Sequence, residues 1–201
     1  MSQQASSAVS RAARRNADEL LRDIQSAVLA EVAEVGVGGL TMEGVARRSG
    51  AAKTSLYRRW PAPHAMLIDA IAQAHPQEQV SVGLDDLRGD LVRALQQFAG
   101  LLAGPGGRAI AAVFTERDRY PELVAALEAQ VFRPRGGAFT RTVLTAYVEA
   151  GGLDAAALTP VVTNIGEALV LKEFYETGAV PSGEYLHDIV DQAILPALGR
   201  Y

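Results

Sequence analysis

Lys53, Thr54, Ser55, Tyr57, Arg58 and Arg59 place six hydrogen-bonding or charged side chains within a seven-residue stretch. Read as a helix, that stretch would bury Leu56 and Trp60, four residues apart, and turn the other six outward. Guanidinium and ammonium groups donate to phosphate and to the O6 and N7 of guanine. Hydroxyls serve either partner, and a phenol reaches phosphate. A solvated amphipathic helix would show the same pattern, so its neighbours must decide between the two readings.

Those neighbours supply the parts needed to present such a face. Thr41 is suited to cap a first short helix, with Glu43 near its positive end and Leu40 and Val45 spaced as a hydrophobic staple. Ala46 is small enough to let two helix axes approach, and Val45 and Leu56 supply the contact between them. Gly50 falls where the chain must leave the first helix in a left-handed conformation. Upstream, Leu21, Ile24, Val28, Val32 and Val35 step by threes and fours, which predicts an amphipathic helix over Asn16 to Val35. Downstream, Met66, Leu67, Ala70 and Ile71 restart a helical stripe after Pro61 and Pro63. The expectation is a three-helix, helix-turn-helix head.

The order Leu40-Thr41, Val45-Ala46, Gly50, Lys53-Thr-Ser-Leu-Tyr-Arg-Arg-Trp60 and Leu67 resembles the head of the TetR/AcrR family of bacterial transcriptional regulators, and Gly50 to Leu67 aligns with that family's string without a gap. Glu116 to Leu198, with Tyr120-Pro-Glu-Leu123 and Glu173-Phe-Tyr-Glu-Thr-Gly178, is more loosely similar to the helical effector domain of one branch of it. The resemblance implies operator contacts by Lys53, Thr54, Ser55, Tyr57, Arg58 and Arg59, with Thr41 at a phosphate beside the first helix. It also implies a homodimer whose terminal helices form a four-helix bundle, a double-stranded DNA operator, and repression relieved by a small-molecule effector. One departure is clear. Ala62-Pro63-His64 replaces the usual serine-lysine-glutamate, which removes a side-chain cap and a phosphate-reaching lysine.

The rest of the chain reads as all-α. Periodic stretches cover Leu87 to Leu102, Ala109 to Arg117, Pro121 to Glu149, Leu158 to Glu176 and Glu184 to Leu198, with Pro134 expected to kink or split the third. The expected division is a disordered arm over 1–15, a DNA-binding domain over 16–64, and an effector-binding and dimerisation domain over 65–201. Phe98, Leu102, Phe114, Phe139 and Tyr147 are candidates for a pocket wall, although stripes of this kind are more often ordinary core. Val161, Ile165, Leu169, Ile189 and Ile194 exceed what one core-facing stripe requires. They can be buried in their own domain or against a second copy.

Composition narrows the function classes. The chain has 201 residues and no cysteine, which removes thiolate chemistry and sulfur-ligated metal sites. His64, His75 and His187 are far apart in sequence, and no phosphate loop or HExxH pair is present, so neither catalysis nor a cofactor or metal is expected. His64 and His75 read as surface or capping residues. The polar, basic start lacks a signal-peptide core, and no apolar run is long enough to span a bilayer, so a cytoplasmic protein is expected. The net charge of −4 hides an asymmetry. Residues 1–64 hold nine basic and six acidic side chains, and the remainder ten basic and seventeen acidic. What DNA binding requires is a local positive face. The alternative, a helical protein-interaction module without effector response that has lost DNA binding, would call for a head stripped of basic residues.

Overall fold

The computed structural model describes residues 2–78 and 83–200, with side chains described from residue 17 onward. Every regular element among the described residues is helical. The chain divides into two compact units, Met1–Ala74 with Arg108–Gln130, and His75–Gly107 with Val131–Tyr201. The unit carrying the helix-turn-helix therefore extends beyond the 16–64 segment expected for it, through Ala74 and into a segment from mid-chain.

In the first unit, α1 (Ser2–Val35) packs on α2 (Met42–Ser49) and α4 (Pro63–Ala74), with α3 (Lys53–Arg59) against α2. The backbone of α1 is helical through the stretch expected as an arm, whose side chains lie outside the described residues. Ile24, Val28 and Val32 of α1 are buried with Leu40, Val45, Leu56, Leu67 and Ile71, the residues whose periodicity predicted the head. Helices α6 (Pro105–Thr115) and α7 (Pro121–Leu127) come from mid-chain, and α7 packs on α4. Between α6 and α7, Glu116 accepts a hydrogen bond from the Val37 amide at 3.0 Å, and the Tyr120 ring meets His64 edge-on at 4.9 Å. These contacts fasten the α1–α2 turn and the start of α4.

The second unit is built on α5 (Leu87–Ala103), which packs on α9 (Phe139–Glu149), α10 (Ile165–Thr177) and α11 (Gly183–Ile189). Asp86 caps α5 through the Gly89 amide at 2.9 Å, and Ser182 caps α11 through Tyr185. The helix expected over Pro121 to Glu149 is split. After α7 come a π-helical turn (Glu128–Phe132) and the short α8 (Arg133–Arg135), before α9 begins. The last helix repeats this arrangement, with a π turn (Val190–Ile194) leading into α12 (Leu195–Ala197). Each π turn stands just before a proline, Pro134 and Pro196. The carbonyl four residues earlier, which a proline ring would strike in a regular helix, belongs to Gln130 or Gln192, inside the wider turn. The helix expected from Leu158 starts later, at Ile165, because the Thr163 and Asn164 side chains bond back to carbonyls of Thr159 and Pro160.

Two sets of expected residues are redistributed. Phe98, Leu102, Phe139 and Tyr147 share the core of the second unit, with the Phe98 and Phe139 rings 5.4 Å apart. Phe114 lies in the first unit on α6. Ile189 and Ile194, expected at a subunit interface, are 3% and 0% exposed within their own core and have no surface left for a partner. Ile165 and Leu169 are half-buried against that core, and Val161 is 70% exposed.

Tyr147 has a polar role as well. Its hydroxyl donates to the buried Asp90 carboxylate at 2.8 Å, and Arg93 meets the other oxygen at 2.5 Å. Burial, then the Asp90 bond, pushes the phenol up to about 12. Tyr147→Phe keeps the ring and strips a donor from a buried carboxylate, so it should cost about 1–3 kcal/mol in urea unfolding. A midpoint equal to that of the wild type would show that Arg93 alone satisfies Asp90.

His75, expected as a surface or capping residue, is fully buried. Its Nε2 lies 3.2 Å from the Gly136 carbonyl, and its ring meets Phe132 edge-on. Burial holds its pKa below the ordinary 6.5. A depressed folded pKa means that the unfolded chain binds the proton more readily. The stability due to the neutral ring is therefore present above pH 6.5 and lost as pH falls from there through the folded value. The urea midpoint of the wild type should drop between about pH 7 and about pH 5.5, while His75→Gln should show a flatter profile. Parallel profiles would rule this out.

Candidate nucleic-acid interface

Thr41 is extended, and its hydroxyl accepts the Gly44 amide at 3.0 Å, which fixes the start of α2. The helix ends at Gly50, whose φ of +71° is the left-handed conformation expected there. Ser49 tightens the exit, donating to the Val45 carbonyl at 2.8 Å and accepting from the Ala51 amide. Gly44 is required for a different reason. A Cβ there would collide with the carboxylate of Glu31, which is buried where α1 crosses α2.

On α3, Leu56 is completely buried and Trp60 is 5% exposed, while Lys53, Thr54, Tyr57, Arg58 and Arg59 are exposed and Ser55 half-buried. The helix thus buries one side and offers the other, as its spacing predicts. The indole N–H of Trp60 donates to Asp69 of α4 at 3.2 Å, which pins the C-terminal end of α3.

The basic side chains divide into two groups. Lys53 is 3.1 Å from Glu43 of α2, and this ammonium holds the Glu43 carboxyl below its ordinary range. Arg48 reaches Glu31 at 2.9 Å and also pairs with Glu34, and Arg47 lies 3.7 Å from Glu31. Arg58 and Arg59 make no ion pair with an acid among the described residues, and Arg59 rests over the Trp60 ring at 5.1 Å. Two guanidinium groups on the exposed side of α3 are therefore uncompensated by any described acid. The partners Glu43, Glu31 and Asp69 carry no signal in sequence, because each lies on a different helix from the residue it holds.

Pro63 opens α4 half-exposed, in the first helical position where a missing N–H costs nothing, and His64 beside it is engaged by Tyr120. Pro63→Lys should tighten operator binding modestly and steepen the salt dependence of log affinity by about one per added phosphate contact. An unchanged slope would place position 63 away from the DNA backbone.

No single helix among the described residues is long and apolar enough to cross a membrane. No group of His, Cys, Asp or Glu among them could hold a metal ion.

Known proteins point to the same kind of molecule. The family described as tetracyclin repressor-like, C-terminal domain, matches residues 83–193. An uncharacterized HTH-type transcriptional regulator of Mycobacterium tuberculosis (strain ATCC 25618 / H37Rv) is 28% identical over 167 residues, covering 83% of this chain and 82% of that protein. Among solved structures, a TetR transcriptional regulator from Agrobacterium tumefaciens shares the fold with a TM-score of 0.66 at 19% identity, covering 88% of this chain and 93% of that one. A regulator assigned to the TetR family from Mesorhizobium loti aligns with a TM-score of 0.64 at 18% identity, over 90% and 96% of the two chains. The family and the curated relatives are transcriptional regulators rather than enzymes. With its helix-turn-helix intact and most of its second unit matched by the family's C-terminal domain, the chain belongs to the TetR family of DNA-binding transcriptional regulators.

Proposed function

We propose that this regulator is a cytoplasmic, homodimeric repressor that α3 seats in the major groove of an operator and that a small-molecule effector releases. The observation that carries the DNA contact is the exposed side of α3, where Arg58 and Arg59 have no acidic partner among the described residues. Lys53, Thr54, Ser55 and Tyr57 complete the reading face, and Thr41 meets a phosphate beside α2. The two heads of a dimer then read half-sites one helical turn apart, with recognition helices about 34–36 Å apart.

Support for the dimer comes from the surface of α10 and the turn before it, where Val161 and Tyr175 are 70% and 63% exposed with Ile165 and Leu169 beside them. Apolar side chains so exposed on one helix and the turn that leads into it suit a second copy. The effector acts by binding one of two states of the dimer more tightly, and it weakens operator binding by that difference in affinity.

Selection of bound sequences from random DNA by the purified protein tests the reading. It should enrich a two-fold symmetric site with half-site centres about 10 base pairs apart. Metabolites screened against that site should include one that releases the protein. An asymmetric single half-site would remove the dimer from the account, and a protein that no metabolite releases would remove the effector.

A further inference from the structure

A groove of about 390 Å³ runs between the middle of α1 and α3. Leu20, Leu21 and Ile24 of α1 form one wall, and the Trp60 indole closes it. Ser55, Arg58 and Arg59 line the α3 side. The volume is within the range of small-molecule sites, roughly 300–1,000 Å³.

Two features distinguish this groove from an ordinary helix crossing. Leu20 is 41% exposed and Leu21 partly exposed at the mouth of the groove, above Ile24 and the Trp60 indole, which are 5% exposed each. The two guanidinium groups on its other side have no acidic partner among the described residues, whereas Arg47, Arg48 and Lys53 nearby are each paired. An apolar wall facing unpaired cations is complementary to a molecule that is apolar along its length and anionic at one end. A phosphodiester backbone would satisfy the arginines and leave the leucines and indole facing a polar chain. An inorganic anion would do the same.

We infer that this groove binds an amphiphilic carboxylate, its tail on Leu20 and Leu21 over the edge of the Trp60 indole and its head at Ser55, Arg58 and Arg59. The inference goes beyond the proposed release by an effector, because the ligand would occupy side chains of the DNA-reading helix itself. Ligand and operator would then exclude each other at the head directly.

Trp60 is the only tryptophan of the chain, so its emission reports on the groove. The probe is dodecanoate, titrated below its micelle concentration into the full-length protein without DNA, with dodecanol and dodecyltrimethylammonium in parallel. Dodecanoate should change Trp60 emission saturably, at one molecule per chain, while the uncharged and cationic analogues bind at least tenfold more weakly. Leu20→Glu and the double variant Arg58→Gln/Arg59→Gln should each weaken dodecanoate at least tenfold. Both alter exposed side chains, and circular dichroism verifies that they fold. No saturable change would overturn the proposal, and so would equal affinity for dodecanol. A dodecanoate response of unchanged affinity in both variants would also overturn it, because it would place binding elsewhere in the chain. None of these readings involves the operator, so failure here leaves the operator proposal standing.

Discussion

Replacing Lys53, Arg58 and Arg59 together by alanine should lower affinity for a selected operator by on the order of 100-fold or more at moderate salt. All three side chains lie on the exposed side of α3, so the substitutions take away phosphate or base partners without opening the core. A side chain that reads a base bidentately contributes about 1–3 kcal/mol, and each phosphate left without its cation should also flatten the salt dependence by about one. The three should not contribute equally. Lys53 already has Glu43 as a partner 3.1 Å away, so part of what it gains on DNA is offset by leaving that carboxylate. Arg58 and Arg59 give up no ion pair among the described residues, and their removal should account for most of the effect. A triple variant that folds by circular dichroism and keeps full affinity would show that α3 is not the reading helix.

The second large effect separates two sets of apolar residues that look alike in sequence. Val161→Asp combined with Tyr175→Asp should leave the fold intact and shift the protein to monomers at micromolar concentration, because both positions are mostly exposed in a single chain. Operator affinity should fall with it, since two linked heads gain from effective concentration. Ile194→Asp should behave differently. Its side chain is completely buried in the core that holds Leu91, Leu95, Leu144 and Val170. An unpaired charge there costs several kcal/mol and should unfold the second unit. Sedimentation and thermal denaturation of the two variants distinguish these outcomes. Monomeric wild type with undiminished operator affinity would contradict the dimer.

The helix-turn-helix was legible because each of its parts is local. The cap at Thr41, the turn at Gly50 and the four-residue step from Leu56 to Trp60 depend on residues within a turn or two of one another, and all three are present. Pro134 announces a disturbance, yet not its form, and periodicity alone carries a helix straight through Pro196. A π turn is a compromise among carbonyl positions that residue type does not encode. Periodicity likewise says that a helix has more than one apolar face, and is silent on which face its own domain takes. That is why Ile189 and Ile194 are core while Val161 is exposed. Phe114 shows the same limit at a larger scale, since nothing between Arg108 and Gln130 signals that this segment joins the first unit. The ion pairs of Lys53 with Glu43 and of Arg48 with Glu31, and the depth of His75, depend on how separate helices approach.

Selecting operator sequences with the wild type and with Arg58→Ala in the same experiment tests the central claim most directly. If α3 reads the major groove in two symmetry-related copies, the variant's enriched site should lose its preference at one pair of symmetric positions and keep the rest. An identical enriched site for both proteins, or a preference weakened evenly at every position, would contradict base reading by Arg58 from the exposed side of α3.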